Sequence, residues 1–260
     1  MLKLGMPTLI ETDTLEECAA LCRELNLDFI EFNMNLPQYQ LDKINVSYFK
    51  YVADKYEVFY TIHLDENLNV SDFNKYIANG YHRTVTETIE LAEKLNIPII
   101  NMHLSKGVYF TLPDKKVYLF SEYIEQYLHS IMDFRIACEK AIGNCDIKIC
   151  IENCNGYTGF QKKGLNLLLE SPVFGLTFDI GHNHACGGLD QSYIMENEDK
   201  LCHMHMHDAL SGKDHLSIGK GELNIHNYFK LAVLHNCRIV LETKTIDALR
   251  ESVNFIRNAI

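Results

Sequence analysis

The chain of 260 residues has no long apolar run and comparatively few basic residues. No stretch approaches the roughly 18 apolar residues that a membrane span requires, and the N-terminus has no signal-peptide pattern. We therefore expect a cytoplasmic protein with no membrane partner. The 24 lysine and arginine residues are outnumbered by 35 acidic residues, giving a net charge of -11. This balance argues against a nucleic-acid partner, although a local basic groove can exist within an acidic chain.

The sequence also lacks glycine-rich phosphate loops and low-complexity linkers. Neither GxGxxG nor GxxxxGK[ST] follows a predicted strand, which excludes the main nucleotide-binding folds. Without a linker, we expect one domain over residues 1–260. The nine cysteines are odd in number and scattered, which indicates reduced core thiols rather than a disulfide framework. A homo-oligomer is compatible with this composition.

Short apolar runs alternate with helical patterns eight times along the chain. The predicted strands cover residues 3–8, 28–33, 58–64, 99–104, 147–152, 174–179, 201–208 and 238–243. The predicted helices cover residues 14–26, 46–55, 81–95, 120–142, 165–170, 193–196, 225–234 and 246–260. This alternation is typical of an α/β protein with a parallel sheet, and eight units favour a single (β/α)8 TIM barrel over an open sheet. The irregular segments 65–77, 105–116 and 209–222 each follow a strand and should lie on the catalytic face.

Side chains that commonly bind metals stand at or near the C-terminal ends of six consecutive predicted strands. They are His63, His103, Glu152, Asp179, His205 and Glu242. Barrel strands converge at that end, so these residues should become neighbours. Each residue alone is more typical of a satisfied polar side chain, but six in series predict a metal site. Oxygen and imidazole donors suit a divalent ion such as Zn, Mn, Mg or Co.

Three further polar residues near strand ends allow more than one interpretation. Glu31 ends the second strand, where we expect it to cap a neighbouring loop rather than bind a substrate hydroxyl. His207 has the same facing as His205 and could line the site. Alternatively, Asp208 could orient His205 by accepting a hydrogen bond from its ring.

Five motifs resemble those of the xylose isomerase-like barrel superfamily. They are Ile151-Glu152-Asn153, Phe178-Asp179-Ile180-Gly181-His182, His205-Met206-His207-Asp208, His215-Leu216-Ser217-Ile218-Gly219-Lys220-Gly221 and Leu241-Glu242-Thr243. That group contains sugar and sugar-phosphate isomerases and epimerases, inosose-processing enzymes, dehydroshikimate dehydratase and endonuclease IV enzymes. The resemblance implies a shared metal site formed by Glu152, Asp179, His205 and Glu242. It further implies that His182 and His215 bind substrate in isomerases, or an additional zinc ion in endonucleases.

Two branches of that superfamily differ in the residues around the shared site. His63 and His103 match the histidines with which endonuclease IV enzymes bind another zinc ion, which favours two or three ions. The third zinc ion of those enzymes needs an Asp-x-His pair, but Lys213 occupies the Asp position here. Its ammonium group would repel a cation unless Asp214 substitutes for the missing acid. The arginine typical of epimerases in the seventh loop is also missing.

The resemblance implies two chemistries for the same ligands. In an isomerase or epimerase, one metal ion would stabilise the enediolate of a small sugar, sugar phosphate or related polyol, while Glu152 and Glu242 exchange the proton as catalytic base and acid. In a phosphodiesterase acting on abasic-site DNA or another phosphoester, Glu152 would bridge two zinc ions. Pure ligation is the alternative role for both glutamates, because a general base near pH 7 needs a raised carboxylate pKa.

We expect isomerisation or epimerisation of a small-molecule substrate with one bound ion. The zinc phosphodiesterase is the alternative, and a barrel that only senses a ligand is a third.

Overall fold

Eight parallel strands close into a barrel in the computed structural model, which describes residues 2–259. The barrel strands are β1 (Lys3–Pro7), β2 (Phe29–Asn33), β3 (Phe59–His63), β4 (Ile99–His103), β5 (Lys148–Glu152), β6 (Phe174–Asp179), β7 (Leu201–Met206) and β8 (Arg238–Leu241). Each strand pairs with the next in sequence, and β8 pairs with β1 to complete the ring. The predicted (β/α)8 TIM barrel is therefore confirmed.

Ten α-helices lie within residues 2–259. They are α1 (Leu15–Glu24), α2 (Val46–Tyr56), α3 (Lys75–Leu95), α4 (Leu119–Glu122), α5 (Ile124–Ile142), α6 (Gly159–Leu169), α7 (Ile180–Ala185), α8 (Gln191–Glu196), α9 (Ile225–Leu234) and α10 (Ile246–Ala259). Among these described helices, none is long and apolar enough to cross a membrane. Several begin at side-chain caps, as when Oγ1 of Thr14 accepts the N–H of Glu17 at the start of α1.

Strand alternation separates an apolar exterior from a polar interior. In β5, Ile149 and Ile151 join the hydrophobic core between the strands and the helices. Cys150 and Glu152, which alternate with them, face the barrel interior, where the thiol of Cys150 contacts Cys202 of β7. Strands buried on both faces follow from this arrangement, and every residue of β6 is buried. The polar interior is what brings functional side chains together.

Several local predictions were wrong at element ends. Helix α3 begins at Lys75 rather than at residue 81, because Asn74 caps it by accepting the N–H of Tyr76. Helix α6 begins at Gly159 rather than at residue 165, because Thr158 and Gln161 form a capping box. Helix α7, directly after β6, was not predicted. Residue 260, the predicted end of both the last helix and the domain, lies outside the described residues, as does residue 1.

Two segments predicted to be irregular contain β-hairpins. The segment after β4 pairs Tyr109–Thr111 with Lys116–Tyr118. The segment after β7 pairs Asp208–Leu210 with Lys213–Leu216, and β7 itself ends at Met206 rather than at residue 208. Both hairpins extend from the C-terminal end of the barrel strands, and the second carries residues of the candidate site.

Gly5 tests how tightly the lower barrel interior is packed. A Cβ atom at this position would lie 2.5 Å from the ring of Phe29, which is fully buried and stacks on Phe59. We expect Gly5→Ala to lower the free energy of unfolding by about 1–3 kcal/mol in urea denaturation. Gly80→Ala is the control, because nothing lies within 4 Å of the added atom in α3, and it should be neutral or stabilise by up to about 1 kcal/mol. Equal unfolding midpoints for the two variants would contradict this packing.

Candidate metal centre

Four side chains from neighbouring strands meet at the mouth of the barrel. Glu152 ends β5, Asp179 ends β6, His205 lies in β7 and Glu242 follows β8. One ligand atom from each lies within 4.8 Å of the other three. Nδ1 of His205 is 3.1 Å from Oε2 of Glu242, 3.4 Å from Oε1 of Glu152 and 4.0 Å from Oδ2 of Asp179. Four donors arranged in this way can hold one metal ion.

Several buried polar atoms of this cluster have no hydrogen-bond partner, as expected of atoms that bind a cation. Neither ring nitrogen of His205 makes a hydrogen bond to any described residue, and the same is true of Oε2 of Glu242. Buried polar atoms normally have partners, so Nδ1 of His205 and Oε2 of Glu242, which face each other inside the cluster, need a ligand that the protein itself does not supply. Three carboxylates and one imidazole match the donors of a hard or intermediate divalent ion. The residues therefore fit such an ion.

Two histidines flank the cluster on the β3 and β4 side. Nε2 of His63 is 3.4 Å from Oε2 of Glu152, and Nε2 of His103 is 3.2 Å from the same oxygen. The ring of His63 is held by a 2.7 Å contact between its Nδ1 and the carbonyl oxygen of Leu64. His63, Glu152 and His205 also form a three-donor group. The predicted ligands His63 and His103 are thus brought to the same carboxylate.

Three histidines flank the cluster on the opposite side. Nε2 of His207 is 3.1 Å from Oδ2 of Asp179, and the rings of His207 and His215 stack with centroids 4.1 Å apart. Nδ1 of His182 lies 3.3 Å from Oδ2 of Asp214. His182, His207 and His215 form a further three-donor group. The sequence alternative in which Asp214 replaces the missing acid is therefore geometrically open, since Lys213 is exposed.

The backbone of the second hairpin fixes His207. The N–H of His215, which has a left-handed φ of 53°, donates to Nδ1 of His207 at 2.7 Å. Nε2 of His207 therefore carries the ring proton, and this N–H donates a hydrogen bond to Oδ2 of Asp179. Gly181 is required beneath this ring, because a Cβ there would lie 2.0 Å from it.

Two expectations about neighbouring acids were wrong. Asp208 does not orient His205, because its carboxylate accepts the backbone N–H groups of Ala209, Gly219 and Leu223 and so holds the second hairpin. Glu31 does not cap a loop, because it is 2% exposed and lies inside the barrel below His205.

Glu31 has three partners in the barrel interior. Its Oε2 lies 2.9 Å from Nε2 of His203 and accepts the hydroxyl of Thr61 at 2.8 Å. Its Oε1 lies 2.7 Å from Nε2 of His205, although the ring is not aligned for a hydrogen bond. His203 was missed in the sequence, where the spacing His203-x-His205-x-His207 places it on the same face of the strand.

Opposite charges hold the two glutamates of the cluster ionised. Burial alone would raise the pKa of Glu152, but the positive charges of His205 and His103 outweigh it and hold that pKa well below its ordinary value. Burial likewise opposes ionisation of Glu242, but His205 and then Lys244 lower its pKa. Nζ of Lys244 is 2.8 Å from Oε1 of Glu242. Carboxylates that are ionised at neutral pH are ready to bind a metal.

The structure defines the class of protein as a (β/α)8 barrel with a buried cluster of carboxylates and histidines at its mouth. Sequence comparison identifies the family. Residues 19–259 match the xylose isomerase-like TIM barrel family, and the chain belongs to that family. The uncharacterized protein MJ1614 of Methanocaldococcus jannaschii is 31% identical over 108 residues, or 40% of this chain. That match spans 42% of the relative's own length.

Solved structures share the fold along almost their whole length. A D-tagatose 3-epimerase-like protein gives a TM-score of 0.80 at 23% identity, covering 99% of this chain and 96% of its own. The 3-keto-D-glucoside 4-epimerase YcjR from E. coli gives 0.80 at 16% identity, with 100% of both chains covered. The IolI protein, whose structure has a zinc atom, gives 0.75 at 14% identity, covering 99% and 97%. At these identities the similarity establishes the fold.

The raised pKa of His63 predicts how the stability of the metal-free protein depends on pH. Burial alone would lower the pKa of His63, but the carboxylate of Glu152 outweighs it and raises the pKa to about 9. Because this pKa lies above the ordinary value of about 6.5, protonated His63 stabilises the folded state by at most about 3 kcal/mol. This stabilisation is complete below pH 6.5 and is lost as the pH rises through 9. We expect the melting temperature of chelator-treated protein to fall across this window.

His63→Gln separates this effect from other titrations in the same range. The variant should melt at a lower temperature than the wild type at pH 6.5, and the difference should shrink towards pH 9.5. A difference that stays constant over the window would show that His63 does not titrate there.

Proposed function

We propose that the chain is a divalent-metal-dependent isomerase or epimerase acting on a small sugar, sugar phosphate or related polyol. The observation that carries this proposal is the pair of ionised glutamates, Glu152 and Glu242, on one histidine nitrogen, with Glu242 also lining an open cavity. The structural neighbours described as epimerases support it at the level of the family.

A cavity beside Glu242 has the size and polarity for a small substrate. Its volume is about 330 Å³, within the range typical of small-molecule sites. It is lined by Pro7, Thr8, Leu9, Ile10, Asn33, Asn35, Leu36, Glu66, Glu242, Thr243 and Lys244. The amide, hydroxyl and charged groups can bind hydroxyls of a polyol, while the aliphatic side chains can pack against its carbon skeleton.

All four residues of the cluster would be metal ligands, and two of them would also carry protons. Glu152, Asp179, His205 and Glu242 would hold the ion, which when bound would polarise a substrate carbonyl and so acidify the adjacent C–H bond. In this proposal one glutamate, Glu152 or Glu242, accepts the carbon-bound proton and the other returns a proton to the opposite face. Their lowered pKa values keep both carboxylates ionised but make them weak bases, so pure ligation stays the alternative role for each of them. His182 would bind a substrate oxygen, and His207 and His215 would line the site or bind a further ion.

A second candidate is a zinc phosphodiesterase that acts on abasic-site DNA or another phosphoester. Two observations favour it. Both His63 and His103 contact Glu152, which could then bridge two ions. Asp214 lies beside His182, where a third ion would need an acid. Two-metal sites stabilise the attacking and leaving oxygens of a phosphoester, so these flanking donors would serve hydrolysis directly.

Deuterium exchange tests the leading proposal. Protein loaded with Mn²⁺ or Zn²⁺ is incubated in D₂O with D-tagatose, D-psicose, D-fructose and a 3-keto-D-glucoside, and proton NMR follows loss of the hydrogen next to the carbonyl. We expect exchange into at least one of these compounds, and Glu152→Gln should slow it by about 10²–10⁴-fold. The exposed carboxylate of α3 gives the control Glu90→Gln, which should exchange at the wild-type rate. Absence of exchange from every compound, or full exchange by Glu152→Gln, would contradict the proposal.

Metal stoichiometry and an abasic-site duplex separate the two functions. We expect one ion per chain by elemental analysis, unchanged in the double variant His63→Gln/His103→Gln, with the duplex left intact. Two or three zinc ions per chain that drop in the double variant, together with cleavage of the duplex, would establish the phosphodiesterase instead. Lys213→Asp restores an Asp-x-His pair with His215 and should raise the stoichiometry only if the His182, His207 and His215 group binds an ion.

A further inference from the structure

A buried carboxylate beneath the candidate metal centre has no role in the proposed reaction. Glu31 lies on β2, two strands away from β8 around the barrel, and is 2% exposed. A carboxylate enclosed in this way is costly unless charged or hydrogen-bonding groups surround it. All of its close polar partners described above come from the barrel interior. Its location therefore calls for an explanation in terms of those partners.

The partners of Glu31 divide between its two oxygens. Oε2 faces Nε2 of His203 and the hydroxyl of Thr61, at 2.9 and 2.8 Å. Oε1 faces Nε2 of His205 at 2.7 Å. His203 and Thr61 therefore anchor one oxygen and leave the other directed at the histidine of the metal cluster.

The two nitrogens of His205 face different groups. Nδ1 faces the carboxylates of Glu152, Asp179 and Glu242, whereas Nε2 faces Glu31. A histidine that binds a metal through one nitrogen commonly donates the N–H of the other to a carboxylate, which fixes its tautomer and ring orientation. Asp208, the acid nearest in sequence, is bonded to three backbone N–H groups instead.

We infer that Glu31 is a positioning residue for the metal centre, which keeps the proton of His205 on Nε2 and so presents Nδ1 to the ion. His203 and Thr61 hold Glu31 in the orientation that this requires. The inference rests on the proposed metal site but not on the reaction that the site catalyses.

Glu31→Gln is the direct test, because glutamine has a single acceptor oxygen. It cannot accept from His205 on one side and from His203 and Thr61 on the other at the same time. We expect zinc affinity, measured by competition with a chromophoric chelator on folded protein, to fall by about 10- to 100-fold. Asp190→Asn is the matched control, since this equally buried carboxylate accepts only the N–H groups of Gly156 and Tyr157 among the described contacts. Its zinc affinity should stay within about twofold of the wild type.

A spectroscopic readout separates positioning from a purely structural role. In zinc-loaded protein with ¹⁵N-labelled histidine, NMR should show His205 protonated on Nε2, and Glu31→Gln should change this signal. A structural role alone would lower the melting temperature and leave both the signal and the affinity unchanged. If Glu31→Gln does not fold, Thr61→Val replaces it, and the expected loss of zinc affinity is smaller but in the same direction.

Each outcome decides a separate point. Weaker zinc binding with an altered His205 signal supports the positioning role. Wild-type affinity in folded Glu31→Gln, or in Thr61→Val where the first variant does not fold, overturns that role and leaves the proposed function standing. A wild-type protein that binds no zinc overturns the positioning role together with the metal site on which it rests.

Discussion

Three carboxylates converge on one imidazole nitrogen in a space from which most solvent is excluded, and the rest of the site is arranged around that constraint. Glu152 and Asp179 are 1% and 0% exposed, so neither can be stabilised by bulk water. Negative charges this close together repel strongly unless positive charge lies among them. Surrounding histidines and Lys244 supply part of that charge in the protein alone, and a divalent cation would supply it in full. The low pKa values of the glutamates and the raised pKa of His63 are two sides of this balance.

The barrel meets the constraint by stacking polar layers along its axis. At the bottom, Phe29 and Gly5 fill the interior with apolar atoms. Above them lies Glu31 with His203, and above that the cluster around His205. Residues 203, 205 and 207 rise through these layers because alternate residues of one strand share a face. Strand β7 and the residue that follows it thus supply three histidines along the axis, and each histidine meets an acid from another strand.

The topology of the fold explains how much could be predicted from the sequence. Alternating strand and helix patterns determine a barrel, and a barrel brings strand ends together however far apart they are in the chain. That is why His63 and Glu242, separated by most of the sequence, could be assigned to one mouth. The same patterns do not predict how deep a side chain lies along the barrel axis, or which path a loop takes. Glu31 was therefore placed at a loop rather than inside the barrel.

The roles of Asp208 and Asp214 also could not be predicted from their positions in the sequence, although both residues are close in sequence to residues of the site. Asp208 is near His205 in sequence, but it lies three residues further on, so its side chain has the opposite facing in an extended strand. It consequently reaches the hairpin backbone and not the imidazole. Asp214 approaches His182 only because that hairpin folds back over the mouth. Hairpin register was not predictable from periodicity, since the segment has no regular alternation of apolar and polar residues.

The choice between the two candidate chemistries depends on residues outside the four shared ligands. A polyol needs one ion, a neighbouring base and a cavity that binds hydroxyls, and the space beside Glu242 offers the last of these. A phosphodiester needs cations that stabilise both the attacking and the leaving oxygen, so both flanks of the centre would have to bind metal. His63 and His103 provide two nitrogens on one flank without an acid of their own, because they share Glu152 with the central cluster. His205 faces Oε1 of that carboxylate, and its Oε2, which faces His63 and His103, already accepts a hydrogen bond from Nδ2 of Asn101. A second ion would have to compete with this hydrogen bond, which favours the single-ion centre and hence the isomerase or epimerase.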